Sequence, residues 1–120
     1  MDDLYLQHIL EHSKNPHNHG EPDKYDIKQA GVNPSCGDEI TLYVTFAKDD
    51  TVEDIHFIGD GCAISMAATS MLTDKVKAMS KTDLIALTET DIYDLLKVEV
   101  NPGREKCALL SLRTLKQAIS

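Results

Sequence analysis

The clearest pattern in the chain is an alternation of apolar and polar side chains over residues 40–46. Apolar residues occupy every second position, the period of a half-buried β-strand: Ile40, Leu42, Val44 and Phe46. The polar break over residues 48–51 is short enough for a hairpin, and residues 52–58 predict the partner strand. A third strand is predicted over residues 25–29. Together these segments predict a small antiparallel sheet of three strands.

The rest of the chain carries helical periodicity. Apolar residues recur at helical spacing over residues 2–14, 62–79 and 104–119, while residues 82–98 predict two short helices that meet near residues 89–91. The order of helix, strands and further helices predicts an α+β fold with helices packed on one face of the sheet. A length of 120 residues predicts a single domain over residues 1–120.

Composition and charge exclude several classes of protein. The net charge of −8 argues against binding to nucleic acid, and the apolar stretches are far shorter than the roughly 20 residues of a membrane helix. The acidic start, Met1-Asp2-Asp3, is unlike a secretory signal, so we expect a cytoplasmic protein. The chain has 3 cysteines. Because their number is odd and a cytoplasm is reducing, we expect metal binding or thiol chemistry rather than a disulfide framework.

All three cysteines lie at junctions rich in glycine or proline. Cys36 precedes the strand at residue 40, Cys62 begins the helix after Gly59-Asp60-Gly61, and Cys107 lies in the first turn of the last helix. Helical geometry places Cys107 about 110° from the centre of the apolar stripe, so we expect that it does not point squarely at the core. Amide groups at helix starts, with Arg104 and Lys106 near Cys107, favour thiolates.

Asp38 follows Cys36 by two residues and offers a carboxylate from the same loop. Three sulfurs and one oxygen form a four-ligand set that suits tetrahedral Zn²⁺ or the irons of a [2Fe–2S] cluster. Two alternatives stay open at this point. Each cysteine could be a small buried apolar residue, and Asp38 could cap a turn.

Four histidines near the start of the chain form another candidate cluster. Their spacings would allow a metal site: His8 and His12 one helical turn apart, and His17 and His19 on either side of one residue. We favour the interpretation that they are solvated residues near an exposed arm.

Four motifs spread over nearly the whole chain carry a further signal: Asn15-Pro16-His17-Asn18-His19-Gly20, Asn33-Pro34-Ser35-Cys36-Gly37-Asp38, Gly59-Asp60-Gly61-Cys62-Ala63-Ile64-Ser65-Met66-Ala67 and Arg104-Glu105-Lys106-Cys107-Ala108. Together with Tyr5 they resemble the IscU/SufU/NifU N-terminal-type iron–sulfur cluster assembly proteins. The resemblance implies an IscU/SufE-like fold. It also implies that Cys36, Asp38, Cys62 and Cys107 bind a [2Fe–2S] cluster or iron, with Zn²⁺ as an alternative occupant.

The same resemblance implies partners and roles. A cysteine desulfurase would deliver sulfur as a persulfide to Cys107, and apo-proteins or downstream carriers would receive the cluster. Such a protein is a scaffold rather than an enzyme that turns over a substrate, and it could be a monomer or a homodimer.

The sequence departs from the two main branches of the family in different ways. Lys106 stands where IscU-type proteins have histidine, as in the SufU-like branch. The short separation of Cys62 and Cys107 is nevertheless IscU-like, since SufU-like proteins carry an insertion there. Val100-Asn101-Pro102-Gly103 replaces the Leu-Pro-Pro-Val-Lys chaperone motif, which argues against an Hsc-type chaperone partner. His17 replaces the usual arginine of the N-terminal arm.

Three functions therefore compete. The leading hypothesis is a scaffold that assembles a transient [2Fe–2S] cluster and passes it on. The alternative is a SufU-like, zinc-dependent sulfurtransferase that relays persulfide sulfur. A structural zinc module ranks last, because a domain of this size should fold without a metal.

Overall fold

The computed structural model describes residues 3–35 and 37–119. Within these ranges the elements follow in this order: α1 (Asp3–Lys14), β1 (Ile27–Asn33), β2 (Asp38–Phe46), β3 (Val52–Asp60), α2 (Ala63–Val76), α3 (Lys81–Ile85), α4 (Glu89–Leu96), a 3₁₀ turn (Pro102–Arg104) and α5 (Glu105–Ile119). The predicted α+β class with a three-stranded antiparallel sheet is confirmed. None of the helices described is both long and apolar enough to cross a membrane.

The strands form a sheet in the order β1-β2-β3. Its register brings the end of β1, the start of β2 and the end of β3 together at one end of the sheet. Asn33, the last residue of β1, pairs with Asp38, the first residue of β2. On the other side of β2, Glu39 pairs with Asp60 at the end of β3. The predicted strands over residues 40–46 and 52–58 are confirmed, and each extends by two residues toward this end of the sheet.

The prediction for β1 was wrong in its bounds. The strand covers Ile27–Asn33 rather than residues 25–29, and its residues alternate between half-buried and exposed positions. Lys28, Gln29 and Gly31 give it a weak apolar pattern, so pairing with β2 defines the strand more than its own sequence does.

The core lies between the sheet and the helices, with α2 at its centre. α2 packs against α1, α4, α5 and β3. It ends at Val76, short of the predicted residue 79, because Lys77 is extended and Ala78 has a φ of 69°. The backbone of residues 78–79 instead exchanges hydrogen bonds with Val52 at the start of β3. The two predicted short helices are confirmed as α3 and α4, with Thr88 capping α4.

β1 and α5 approach each other closely at Gly31. A Cβ atom there would lie 1.9 Å from Thr114 Oγ1, so a side chain at this position requires one element to shift. Thr114 is buried, and its hydroxyl donates to the Leu110 carbonyl at 2.8 Å. The close approach of Gly31 and Thr114 lets α5 pack against β1, so that the first turn of α5 lies toward the end of the sheet where Asn33 and Asp38 pair.

Candidate metal centre

Three of the predicted ligands converge where strand and helix ends meet. Asp38 begins β2, Cys62 is the residue that caps the start of α2, and Cys107 lies in the first turn of α5. One carboxylate oxygen of Asp38 and the two sulfur atoms all lie within 4.8 Å of one another. Among the described residues this is the one group of three or more candidate ligands that is close enough to hold a metal ion.

Cys36, the fourth predicted ligand, lies outside the described residues. Its neighbours Ser35 and Gly37 belong to the turn that joins β1 to β2, and Gly37 takes a φ of 74°, which suits glycine. The Gly37 amide donates to the Asn33 carbonyl at 2.9 Å, which closes the turn. The role of Cys36 stays a prediction.

The Asp38 carboxylate is buried and only partly satisfied. Asp38 is 1% exposed, and its Oδ1 accepts a hydrogen bond from the Cys62 amide at 3.0 Å. Its Oδ2 has no hydrogen-bond partner within residues 3–35 and 37–119, nor has the buried hydroxyl of nearby Ser65. A buried carboxylate oxygen without a partner is costly, and a bound cation would satisfy it. The donor set of this pocket, two sulfurs and a carboxylate, therefore fits zinc or iron.

Cys107 is fully buried, although it lies away from the centre of the apolar stripe of α5. Its exposed fraction is 0%, whereas Cys62 is partly exposed. The helical phase of Cys107 is as expected, but the end of β1 covers that face of α5. The Asn33 side chain, itself 5% exposed, donates from Nδ2 to Cys107 Sγ at 3.6 Å. The sequence offered Asn33 only as part of a motif and gave no role for its amide.

The predicted positive surroundings of Cys107 are present in part. Arg104 and Lys106 are exposed. Lys106 and Arg113 line a groove of about 270 Å³ that runs beside Asn33, Pro34 and Ser35. Asn33, which contacts the Cys107 sulfur, also lines this groove, so two basic side chains lie near the residue that covers the sulfur.

Gly61 lies so close to the Asp38 carboxylate that a side chain there would crowd the site. A Cβ atom at Gly61 would lie 2.8 Å from Asp38 Oδ1 and 3.2 Å from Ser65 Oγ. Because Asp38 is buried, its carboxylate has little room to move. We therefore expect Gly61→Ala to lower Zn²⁺ affinity by about 10-fold or more and to destabilise the fold by about 1–3 kcal/mol. Competition with a chromophoric chelator measures the affinity, and urea unfolding measures the stability.

Gly103→Ala is the matched control for this substitution. A Cβ atom at Gly103 would meet its nearest neighbour, Asn101 Oδ1, at 3.5 Å, an ordinary contact, although Gly103 is also close in sequence to a candidate ligand. We expect wild-type Zn²⁺ affinity for this variant. Wild-type affinity in Gly61→Ala would show that the Asp38 carboxylate does not contribute to binding in the position described.

Of the four histidines near the start of the chain, His8, His17 and His19 are exposed as predicted, whereas His12 is buried. His12 is 6% exposed, and its Nδ1 lies 2.6 Å from Ser70 Oγ. Its ring lies between those of His8 and His17, with centroids 4.6 and 4.4 Å away. His17 Nδ1 contacts Asp74 Oδ2 at 2.5 Å, so the cluster joins α1 and the turn after it to α2. It docks α1 rather than belonging to the metal centre.

This cluster predicts a pH-dependent stability. Burial lowers the pKa of His12 from its ordinary value, and His17 and His8 lower it further, against Asp74 and Glu11, which raise it. Lys75, Asp94 and Lys97 also line this region. The unfolded chain therefore takes up a proton on His12 more readily than the folded chain, and stability should fall as the pH drops below about 6.5. Urea unfolding at successive pH values, in wild type and His12→Gln, measures the effect.

The expected result is a stability that declines less steeply with acidification in His12→Gln than in wild type. His56→Gln removes a histidine that lies on β3, outside the cluster, and controls for the loss of one imidazole. Equal slopes for wild type and His12→Gln between pH 7.5 and pH 5.5 would rule out His12 as the source of the dependence.

Comparison with known proteins agrees with this geometry. The chain is 37% identical to the iron–sulfur cluster assembly scaffold protein IscU of Streptococcus pyogenes, over 99% of this chain and 84% of that protein. It is also 37% identical to the zinc-dependent sulfurtransferase SufU of Bacillus subtilis, over 100% of this chain and 92% of that protein. The two relatives are equally similar to the chain, so identity alone does not distinguish their functions.

A solved structure and a family profile extend the comparison. The fold matches a crystal structure from Fervidobacterium islandicum, described as a putative iron–sulfur cluster assembly scaffold protein for the SUF system, with a TM-score of 0.83 and 30% identity over 95% of each chain. The profile of the NifU-like N terminal domain matches residues 4–120. The chain therefore belongs to the NifU-like N-terminal domain family, together with the IscU and SufU iron–sulfur cluster assembly proteins.

Proposed function

We propose that this protein is an iron–sulfur cluster assembly scaffold that accepts sulfur from a cysteine desulfurase and assembles a transient [2Fe–2S] cluster. The observation that carries the proposal is the convergence of Asp38, Cys62 and Cys107 within 4.8 Å, with one oxygen of the buried carboxylate left without a partner among the described residues. Cys36, from the turn beside Asp38, would complete the ligand set. Recipient apo-proteins or carriers then take the cluster.

The donor set suits a cargo that must be both held and released. Thiolates are soft ligands that bind iron firmly, whereas the carboxylate of Asp38 is a hard ligand and binds it less firmly than a fourth thiolate would. The site lies where the ends of strands and helices meet rather than inside one element. Both features favour a cluster that can leave.

Sulfur acceptance is assigned to Cys107. Its thiolate attacks the outer sulfur of the desulfurase persulfide, a new S–S bond forms at Cys107, and the donor cysteine leaves as a thiolate, with no net oxidation or reduction. Conversion of that sulfur to sulfide takes two electrons from an external reductant such as a dithiol. Because Cys107 is 0% exposed and contacts the Asn33 side chain, the residues packed over its sulfur must move for the donor to reach it.

A second candidate is zinc-dependent relay of persulfide sulfur by the same residues. Two observations favour it: Lys106 takes the place of the IscU-type histidine, and a relative of equal identity is named as a zinc-dependent sulfurtransferase. Three sulfurs and one carboxylate also form a complete tetrahedral set for Zn²⁺. Here the metal would stay on the protein, and only sulfur would pass through.

One anaerobic experiment separates the two. The purified protein is incubated with Fe²⁺, a cysteine desulfurase, cysteine and dithiothreitol, and its visible spectrum and metal content are measured. Charge-transfer bands with iron and sulfide in equal amounts support the scaffold. A colourless protein that keeps zinc and still accelerates the desulfurase supports sulfur relay and contradicts cluster assembly.

The structural zinc module is tested in the same preparation. If a metal only stabilised the fold, chelation would unfold the chain, since a structural Zn²⁺ contributes on the order of 10 kcal/mol. The core around α2 takes buried apolar side chains from β2, β3 and the five α-helices, so these elements pack together without a metal. We expect circular dichroism to show a folded protein after chelation.

A further inference from the structure

The side chain of Asn33 occupies a buried position directly beside Cys107. Asn33 is 5% exposed, and its Nδ2 donates to Cys107 Sγ at 3.6 Å, longer than a bond to oxygen because sulfur is the larger atom. The residue ends β1 and pairs with Asp38, so the same backbone ladder that places the carboxylate also places the amide.

The orientation of this amide is fixed by a second contact. The backbone amide of Ser35 can only donate, and it meets Asn33 Oδ1 at 3.3 Å. The oxygen of the side chain therefore faces the turn, and the NH₂ group faces the sulfur. The Asn33 carbonyl also accepts from the Gly37 amide, which holds the backbone on the other side.

We propose that Asn33 is a positioning residue for Cys107, which holds the sulfur toward Asp38 and Cys62 and withdraws electron density from it through an N–H···S hydrogen bond. The inference rests on the proposed function, because it assumes that Cys107 binds metal or sulfur. An amide donor strengthens its bond as a sulfur gains negative charge. Hydrogen bonds of this kind to ligand sulfurs tune both the metal affinity and the electronic properties of a site.

Asn33→Asp is the sharpest test. The two side chains have the same shape, and aspartate still accepts from the Ser35 amide, but it replaces the donor beside Cys107 with a carboxylate oxygen. We expect an affinity for Co²⁺ lower by about 10-fold or more, and a sulfur-to-cobalt charge-transfer band at longer wavelength. Asn33→Leu, which removes the donor without adding charge, should shift the band in the same direction.

Asn101→Asp is the matched control. Asn101 Oδ1 accepts from the amide two residues ahead, Gly103, at 2.9 Å, which is the same local turn contact that Asn33 makes with Ser35. Asn101 is exposed, and its side-chain oxygen bonds to a backbone amide rather than lying beside a sulfur. The control should keep the wild-type band and affinity, which would show that an asparagine-to-aspartate change in such a turn does not by itself produce the expected result.

A measurement on the wild-type protein covers the case in which the Asn33 variants do not fold. On addition of Zn²⁺, the side-chain NH₂ resonance of Asn33 in a ¹⁵N–¹H spectrum should move downfield as the sulfur charge grows. An unmoved resonance, or a wild-type cobalt band in Asn33→Asp, overturns the role of Asn33 while the metal centre stands. A wild-type protein without any sulfur-to-cobalt band overturns the metal centre itself.

Discussion

Replacing Cys107 with serine is expected to abolish persulfide acceptance while the fold persists. Serine is close in size to cysteine, and its hydroxyl can accept the hydrogen bond that Asn33 Nδ2 gives to the sulfur. The alcohol is not ionised at neutral pH and cannot attack a persulfide as a thiolate does. Mass spectrometry after incubation with the desulfurase and cysteine should show the added sulfur atom on Cys107 in wild type and none in the variant.

Cys62→Ser is the matched comparison, because it separates the sulfur-acceptor role from the metal-ligand role. Cys62 is partly exposed, and its sulfur lies within 4.8 Å of Asp38 and Cys107. If Cys107 is the acceptor, Cys62→Ser still gains sulfur at Cys107 but loses metal affinity, because one ligand is missing. Sulfur found on Cys62 in both wild type and Cys107→Ser would transfer the acceptor role to the more exposed thiol.

The burial of Cys107 shows what helical periodicity can and cannot predict. The spacing of α5 places Cys107 away from the centre of its apolar stripe, which indicates only that its side chain does not point squarely at the core. The helical spacing of apolar residues in α5 does not show that the end of β1 packs over the first turn of the helix. The relevant contact joins Asn33 and Cys107, which are 74 residues apart in sequence. Long-range packing of this kind overrides local pattern.

The motifs predicted that Asp38 lies close to Cys62 and Cys107, but the individual contacts that hold Asp38 in place could not be predicted from them. The alternation over residues 40–46 predicted β2, and the glycines at 59 and 61 predicted the junction before Cys62. The sequence does not show that Asp38 Oδ1 would accept from the Cys62 amide, or that Gly61 would leave room for that carboxylate. Those contacts depend on the register of β2 against β3 and on the place where α2 starts.

His12 illustrates the same limit away from the site. The spacing of His8 and His12 allowed a metal pair or a solvated face, and the structure shows edge-on and tilted contacts between imidazoles, with His12 beside Ser70 of α2. The partners that bury His12 are Ser70 and His17, and only Ser70 is distant in sequence. An amphipathic helix at the start of a chain does not reveal which element will cover it.

Replacing Asp38 with alanine is expected to affect zinc and the cluster in opposite directions. The carboxylate is the only hard ligand in the proposed set, so its loss removes a zinc ligand, and Zn²⁺ affinity should fall by about 10-fold or more. For a cluster, the same carboxylate is the ligand that exchanges most readily. Without it an incoming thiolate must displace a cysteine, and cluster transfer to an apo-ferredoxin should slow. Chelator competition and the visible spectrum of the ferredoxin measure the two effects.

Asp38→Asn separates the ligand role from the structural role of this side chain. Asparagine can still accept from the Cys62 amide, as Asp38 Oδ1 does at 3.0 Å, but its neutral oxygen is a poor ligand for zinc or iron. If Asp38 binds the metal, Asp38→Asn behaves like Asp38→Ala. If it serves only to hold the start of α2, Asp38→Asn behaves like wild type. Asp60→Asn removes an exposed carboxylate from the adjacent strand and should change neither property. Because Asp38 Oδ2 is buried with no partner among the described residues, we expect the ligand result.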